Sequence, residues 1–207
     1  MGQTRLTKDP YNLIITGVGG QGNVMASRVL GNMLVRQGLS VTIGETFGSS
    51  QRGGSVMSHM RISEKGNWSP QIPKGQADLI LALEPSEAVR LLASYGNSTV
   101  KVLSNTRPIY PMDVIAGEKK YPSIEEIIPS VKELTSEAWF IPATDEALKM
   151  GNAIYGNIIM LGALAATGAL PMDTEVFKEV IAEFLSEDKL DMNLKAYEFG
   201  GEMLKKT

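Results

Sequence analysis

Residues 17–22 read Gly-Val-Gly-Gly-Gln-Gly and satisfy G-x-G-x-x-G at Gly17, Gly19 and Gly22. Glycines let a chain turn tightly and let a ligand approach the backbone closely. The N–H groups left unpaired at a helix start attract an anion. Context strengthens the match: the apolar run Asn12 to Thr16 comes before it, and a helical pattern follows from Asn23 to Gln37. Glu45 stands 23 residues after Gly22, near where an acid meets an adenosine ribose in dinucleotide-binding folds. The turn therefore predicts a phosphate or dinucleotide site. The same residues also suit a turn that only packs helix on strand, or one that faces a partner's ligand. Gly20 and Gln21 are not required by the dinucleotide pattern.

A second arrangement, Gln51-Arg52-Gly53-Gly54, lies in a loop by composition. An Arg beside two glycines can present its fork to a phosphate or carboxylate, or can simply be a solvated cation. Following the second strand, this loop is expected beside the first glycine turn. The candidate cofactor-binding residues are thus Gly17, Gly19, Gly20, Gln21, Gly22, Arg52, Gly53 and Gly54, with no catalytic residue or metal ligand assigned. His59, the sole histidine, sits on the more polar face of an alternating segment and reads as a structural hydrogen-bonding residue. There is no cysteine, which excludes disulfides, Cys-ligated zinc, Cys-ligated iron–sulfur clusters and a Cys nucleophile on this chain. One histidine cannot build a multi-His metal site.

These residues need a scaffold, and the pattern supplies one. Buried strands are expected at Asn12 to Thr16, Ser40 to Gly44, Asp78 to Leu83, Thr99 to Leu103 and Ala138 to Ile141, and a half-buried strand at Ser55 to Ile62. Helices are expected at Asn23 to Gln37, Glu84 to Ser94, Ser123 to Val131, Thr144 to Met150, Asn152 to Gly168, Asp173 to Leu185 and Met192 to Leu204. The first 45 residues read as a βαβ unit. The whole reads as a single-domain α/β, Rossmann-like fold with a mostly parallel sheet flanked by helices. Residues 1–10 form a polar N-terminal tail and residues 11–207 the domain. Asn152 to Gly168 is apolar nearly all round and rich in Gly and Ala, so it must be buried, within its own fold or in part against another subunit. Asn157, set among apolar residues, needs a hydrogen-bond partner.

The 207 residues carry a net charge of −3, which offers no general field for nucleic acid. The polar start lacks the apolar core of a signal peptide, and the longest apolar stretch, Ile158 to Leu170, falls short of the ~20 residues of a membrane helix. A cytoplasmic protein is expected, with neither nucleic acid nor membrane as partner.

From about Tyr11 to Gly201 the chain resembles the gamma-type subunits or domains of 2-oxoacid:ferredoxin oxidoreductases. The resemblance rests on GVGGQG at 17–22, the GETFGSSQRGGSVMSHMRIS stretch at 44–63, WSPQIP at 68–73 and ADLILALEPSEAVR at 77–90. It continues in SNTRPIYP at 104–111, NIIMLGALAATGALP at 157–171 and NLKAYEFG at 193–200. WSPQIP leans toward the type acting on arylpyruvates such as indolepyruvate. The resemblance implies an enzyme that oxidatively decarboxylates a 2-oxoacid, joins the acyl group to coenzyme A and passes electrons to ferredoxin. It implies no cofactor on this chain alone, with thiamine diphosphate, iron–sulfur clusters and coenzyme A in the assembled complex. The implied partners are a large thiamine- and cluster-bearing subunit, ferredoxin through the complex, and a possible homodimer contact. The matching positions are the two glycine-rich segments. A stand-alone Rossmann NAD(P)-binding protein using Glu45, or a coenzyme A-binding module, is the alternative.

Overall fold

A computed structural model describes residues 6–47 and 54–206. In chain order the elements are β1 (Tyr11–Val18), α1 (Asn23–Arg36), β2 (Ser40–Phe47), β3 (Ser55–Ser63), β4 (Leu79–Ala82), α2 (Pro85–Tyr95) and β5 (Lys101–Asn105). They continue with α3 (Met112–Ile115), α4 (Ile124–Glu133), β6 (Glu137–Ile141), α5 (Ala143–Lys149), α6 (Tyr155–Ala166), α7 (Thr174–Phe184) and α8 (Glu187–Lys205). Among the described residues the strands make one sheet in the order β2-β3-β1-β4-β5-β6. β1, β4, β5 and β6 pair in parallel, whereas β3 is antiparallel to both of its neighbours. Five strands therefore share one direction and β3 opposes them.

Both faces of this sheet are covered, which is why its central strands read as unbroken apolar runs. Register shows the split. Leu13 lies opposite Leu79 and Ile14 opposite Ile80. The odd-numbered pair, with Ile15 and Leu81, packs into one core with α1, α5, α6, α7 and α8. The even-numbered pair, with Val102, packs under α2 and α4. Helices start where side chains cap them: the Glu84 carboxylate accepts from the Glu87 N–H at α2, and Ser123 and Glu126 close a reciprocal capping box at α4.

The helix expected from Asn152 runs from Tyr155, and its burial lies within the fold, against α8. A Cβ at Gly162 would stand 1.8 Å from the Tyr197 carbonyl oxygen, and one at Gly200 1.9 Å from that of Ile159. The two helices thus touch backbone to backbone, which only glycine allows.

Two expectations change. The βαβ unit of the first 45 residues is split, because β3 enters between β1 and β2. β3 is also buried from Ser58 to Ser63 rather than half exposed. Its polar members are satisfied inside. The Ile72 N–H donates to His59 Nδ1 at 3.4 Å. Arg61 donates to Asn12 Oδ1 at 3.1 Å, and its guanidinium lies 4.9 Å from the Trp68 ring. The described residues before β1 are stitched to the domain by a 2.6 Å Lys8–Asp78 ion pair and by the Leu6 N–H on Glu64.

Candidate functional site

The parallel strands end together, and the loops beyond them frame a cleft of about 460 Å³. This is the edge at which open α/β sheets bind ligands. Gly19, Gly20 and Gln21 from the turn after β1 form one wall. Leu83 and Asn105 at the ends of β4 and β5 form the floor, while Thr144 of α5 and Asn157 of α6 close the far side. Ile109 and Ile154, 38% and 64% exposed, stand at the mouth. Among the described residues no charged side chain lines the cleft. A second hollow of about 320 Å³ lies across the glycine turn, between Gly22, Asn23 and Val24 of the α1 start and residues 56–58 of β3.

The turn is held by its own side chain. The Val18 N–H donates to Gln21 Oε1 at 2.8 Å, and Gln21 Nε2 donates to the Leu83 carbonyl at 2.8 Å. Gln21 therefore ties the end of β1 to the end of β4, which accounts for a residue the dinucleotide pattern does not require. Asn105 Nδ2 donates to the same Leu83 carbonyl at 3.1 Å and to Thr144 Oγ1 at 2.8 Å, and so carries the seam across β5 to α5. Gly17 leaves space for Gln21, since a Cβ there would lie 2.5 Å from Gln21 Oε1. Gly22 has φ +85°, and a Cβ would fall 2.2 Å from Asn157 Nδ2. Asn157 supplies the contact expected of it only in part: Nδ2 reaches the Gly22 carbonyl at 3.5 Å, and its buried Oδ1 has no partner among the described residues.

The two glycine-rich segments meet where both are described: the Gly19 N–H donates to the Gly54 carbonyl at 2.9 Å. Arg52 and Gly53 lie outside the described residues. Glu45 pairs with Ser58 on the edge strand β2, so β3 stands between it and β1. His59 lies apart from the cleft, buried edge-on against Tyr95, and burial holds its pKa below the ordinary value. Among the described residues no three His, Asp or Glu side chains gather as a metal site.

Two buried glutamates that the sequence suggested only as a helix start organise the same edge. Glu87 accepts from Thr16 Oγ1 at 3.1 Å, from Ser55 Oγ at 2.6 Å and from Arg90 Nε at 2.9 Å. It joins β1, β3 and α2. Glu84 accepts from Ser86, Ile109 and Tyr121 besides Glu87. Burial first, then the bond to Glu84, raises the Tyr121 pKa well above the ordinary phenol value. The signal for Glu84 was its position, directly after an apolar run and before Pro85.

Fold and cleft together define a doubly wound α/β domain with a glycine-walled cleft at the carboxyl edge of its sheet. The chain belongs to the pyruvate ferredoxin/flavodoxin oxidoreductase family, whose model matches residues 12–203. It is 39% identical over 189 residues to the indolepyruvate oxidoreductase subunit IorB of Archaeoglobus fulgidus, covering 91% of this chain and 92% of that one. The corresponding subunit of Pyrococcus horikoshii is also 39% identical, over 92% and 94%. Among solved structures, the gamma subunit of a keto/oxoacid ferredoxin oxidoreductase from Geobacter sulfurreducens shares the fold, with a TM-score of 0.67 at 22% identity. That match covers 95% of this chain and 99% of the other. So does a 2-oxoglutarate:ferredoxin oxidoreductase from Magnetococcus marinus, solved with 2-oxoglutarate, coenzyme A and succinyl-CoA, with a TM-score of 0.72 at 20% identity. There the match covers 97% of this chain and 32% of the other.

Proposed function

We propose that the chain is the small, non-thiamine subunit of an indolepyruvate-type 2-oxoacid:ferredoxin oxidoreductase. The observation that carries this is the 39% identity to indolepyruvate oxidoreductase subunits along nearly the full length of both chains. The reaction converts an arylpyruvate and coenzyme A to an acyl-CoA and carbon dioxide, with two electrons passing to ferredoxin. A chain without cysteine can ligate no Cys-bound cluster, so the clusters belong to a larger partner together with thiamine diphosphate. Those groups supply the decarboxylation and the electron path.

This chain binds and orients on the coenzyme A side. Gly17, Gly19, Gly20, Gln21 and Gly22 set an open turn at the start of α1, where helix N–H groups favour a phosphate. Arg52, with Gly53 and Gly54 for close approach, adds a fork for the same anion. The cleft beside the turn, without a charged side chain among the described residues, suits the amide-bearing, uncharged portion of the coenzyme. The stand-alone dinucleotide reading loses support, because β3 removes Glu45 from the strand next to β1.

The test is reconstitution. The isolated chain is expected to reduce no dye with indolepyruvate and coenzyme A. Co-expression with its large partner should restore reduction that depends on both substrates. No gain on adding this chain to the large subunit would overturn the proposal.

A further inference from the structure

The connection from β5 to α4, residues 106–123, is fastened to a single oxygen at both of its ends. The Ile109 N–H donates to Glu84 Oε1 at 3.4 Å, and the Tyr121 hydroxyl donates to the same oxygen. The Tyr110 and Tyr121 rings meet edge to face at 5.2 Å, so the two limbs of the connection also touch each other. Glu84 is fully buried. Its other oxygen accepts from Ser86 Oγ at 2.6 Å and from the Glu87 N–H at 3.0 Å, which fixes the carboxylate at the head of α2. It follows directly on Leu83, whose carbonyl takes both Gln21 and Asn105 in the cleft floor. A rigid carboxylate buried next to the floor residue Leu83 thus holds a strap whose Ile109 stands at the cleft mouth.

We propose that Glu84 is a positioning residue for the cleft, fastening the 106–123 strap through Tyr121 and Ile109 so that Ile109 is held at the cleft mouth. The inference rests on the cleft being the coenzyme A side of the subunit. A held strap presents Ile109 to a bound ligand in a fixed place. A released one lets it swing away, and the ligand then loses apolar contact and its shelter from water. The expected signature is weaker binding with unchanged chemistry, because a strap of this kind touches the ligand equally before and during reaction.

Tyr121→Phe removes the hydroxyl and leaves the ring contact in place. On the chain alone, trypsin cleavage after Lys119 and Lys120, followed by mass spectrometry, is expected to speed up about tenfold, the worth of one buried hydrogen bond. In the reconstituted enzyme the KM for coenzyme A should rise at least about threefold, with kcat within about twofold. In Glu84→Gln the carbonyl oxygen keeps the Ser86 hydroxyl and the Glu87 N–H, which both donate, and the NH2 faces Tyr121 and Ile109. The Tyr121 hydroxyl can accept from that NH2 but the Ile109 N–H cannot, so the melting temperature should change little while the KM for coenzyme A rises. Unchanged cleavage in Tyr121→Phe overturns the latch. Faster cleavage with unchanged KM overturns the positioning role and leaves the strap as structure only. A wild-type complex without activity overturns the functional reading instead, and the trypsin experiment still decides the latch.

Discussion

Gly22 carries two demands that separate experiments can pull apart. Its φ of +85° lies in the left-handed region, which costs a side-chain-bearing residue about 1–2 kcal/mol. A Cβ there would also collide with Asn157 Nδ2. Gly22→Ala is therefore expected to lose at least about 2 kcal/mol of stability in urea unfolding. Adding Asn157→Ala removes the collision but not the backbone penalty, so the double variant should recover part of the loss and not all of it. Full recovery, or none, would show that only one of the two demands is real. His59 makes a different prediction. Burial lowers its pKa from 6.5, so the folded chain holds it neutral while the unfolded chain takes up a proton. Its contribution is complete above pH 6.5 and falls as the pH drops below that value. Melting temperature should decline from pH 7.5 to 5.5, and His59→Gln should flatten that decline. That Gly17 to Gly22 form a turn between a strand and a helix was legible from spacing alone. That Gln21 holds the turn was not, because its partners Val18 and Leu83 are fixed only when β4 lies beside β1.

The pairing of α6 with α8 is legible in part. An all-round apolar, glycine-rich α6 announces burial, but which of its glycines are indispensable depends on the crossing point with a helix that starts about 20 residues further on. Gly162 and Gly200 stand at that crossing, and a Cβ on either would overlap a backbone carbonyl that cannot move without parting the helices. Gly162→Ala and Gly200→Ala should each cost more than about 4 kcal/mol, enough to yield insoluble protein. Gly201 is adjacent, and a Cβ there would meet nothing nearer than 3.5 Å. Gly201→Ala should be neutral or stabilising by up to about 1 kcal/mol, the helix-propensity gain of Ala over Gly. Comparing melting temperatures and soluble yields of the three variants checks the crossing point. Equal effects at all three sites would mean that the helices slide. The strap that contains α3 escaped sequence reading for a related reason: the proline-rich composition of residues 105–111 says loop, and only the buried Glu84 ties that loop to the cleft.

The order of strands decides what kind of ligand site the molecule can be. Alternation of strand and helix made an α/β sheet legible, and the apolar runs named five of its strands. Position in the sheet was not legible, because β3 has the alternating pattern of a half-buried strand and yet lies between β2 and β1. Its polar side chains are paid for locally by Ile72, Asn12 and Trp68. The consequence reaches the glycine turn. Neighbouring strands lie about 4.8 Å apart, so an inserted strand sets β2 about 9.6 Å from β1. An acid at the end of β2 is then one strand too far to meet a ribose whose phosphates sit on the start of α1. The chain is accordingly expected to bind NADH no better than ADP, up to millimolar concentrations in fluorescence titration. Glu45→Ala should leave the KM of the reconstituted enzyme for coenzyme A unchanged. Arg52→Ala should raise it about tenfold, as befits loss of a charged hydrogen bond to phosphate. Tight NADH binding that depends on Glu45 would mean that the ligand crosses β3, and the site would have to be redrawn as a dinucleotide site.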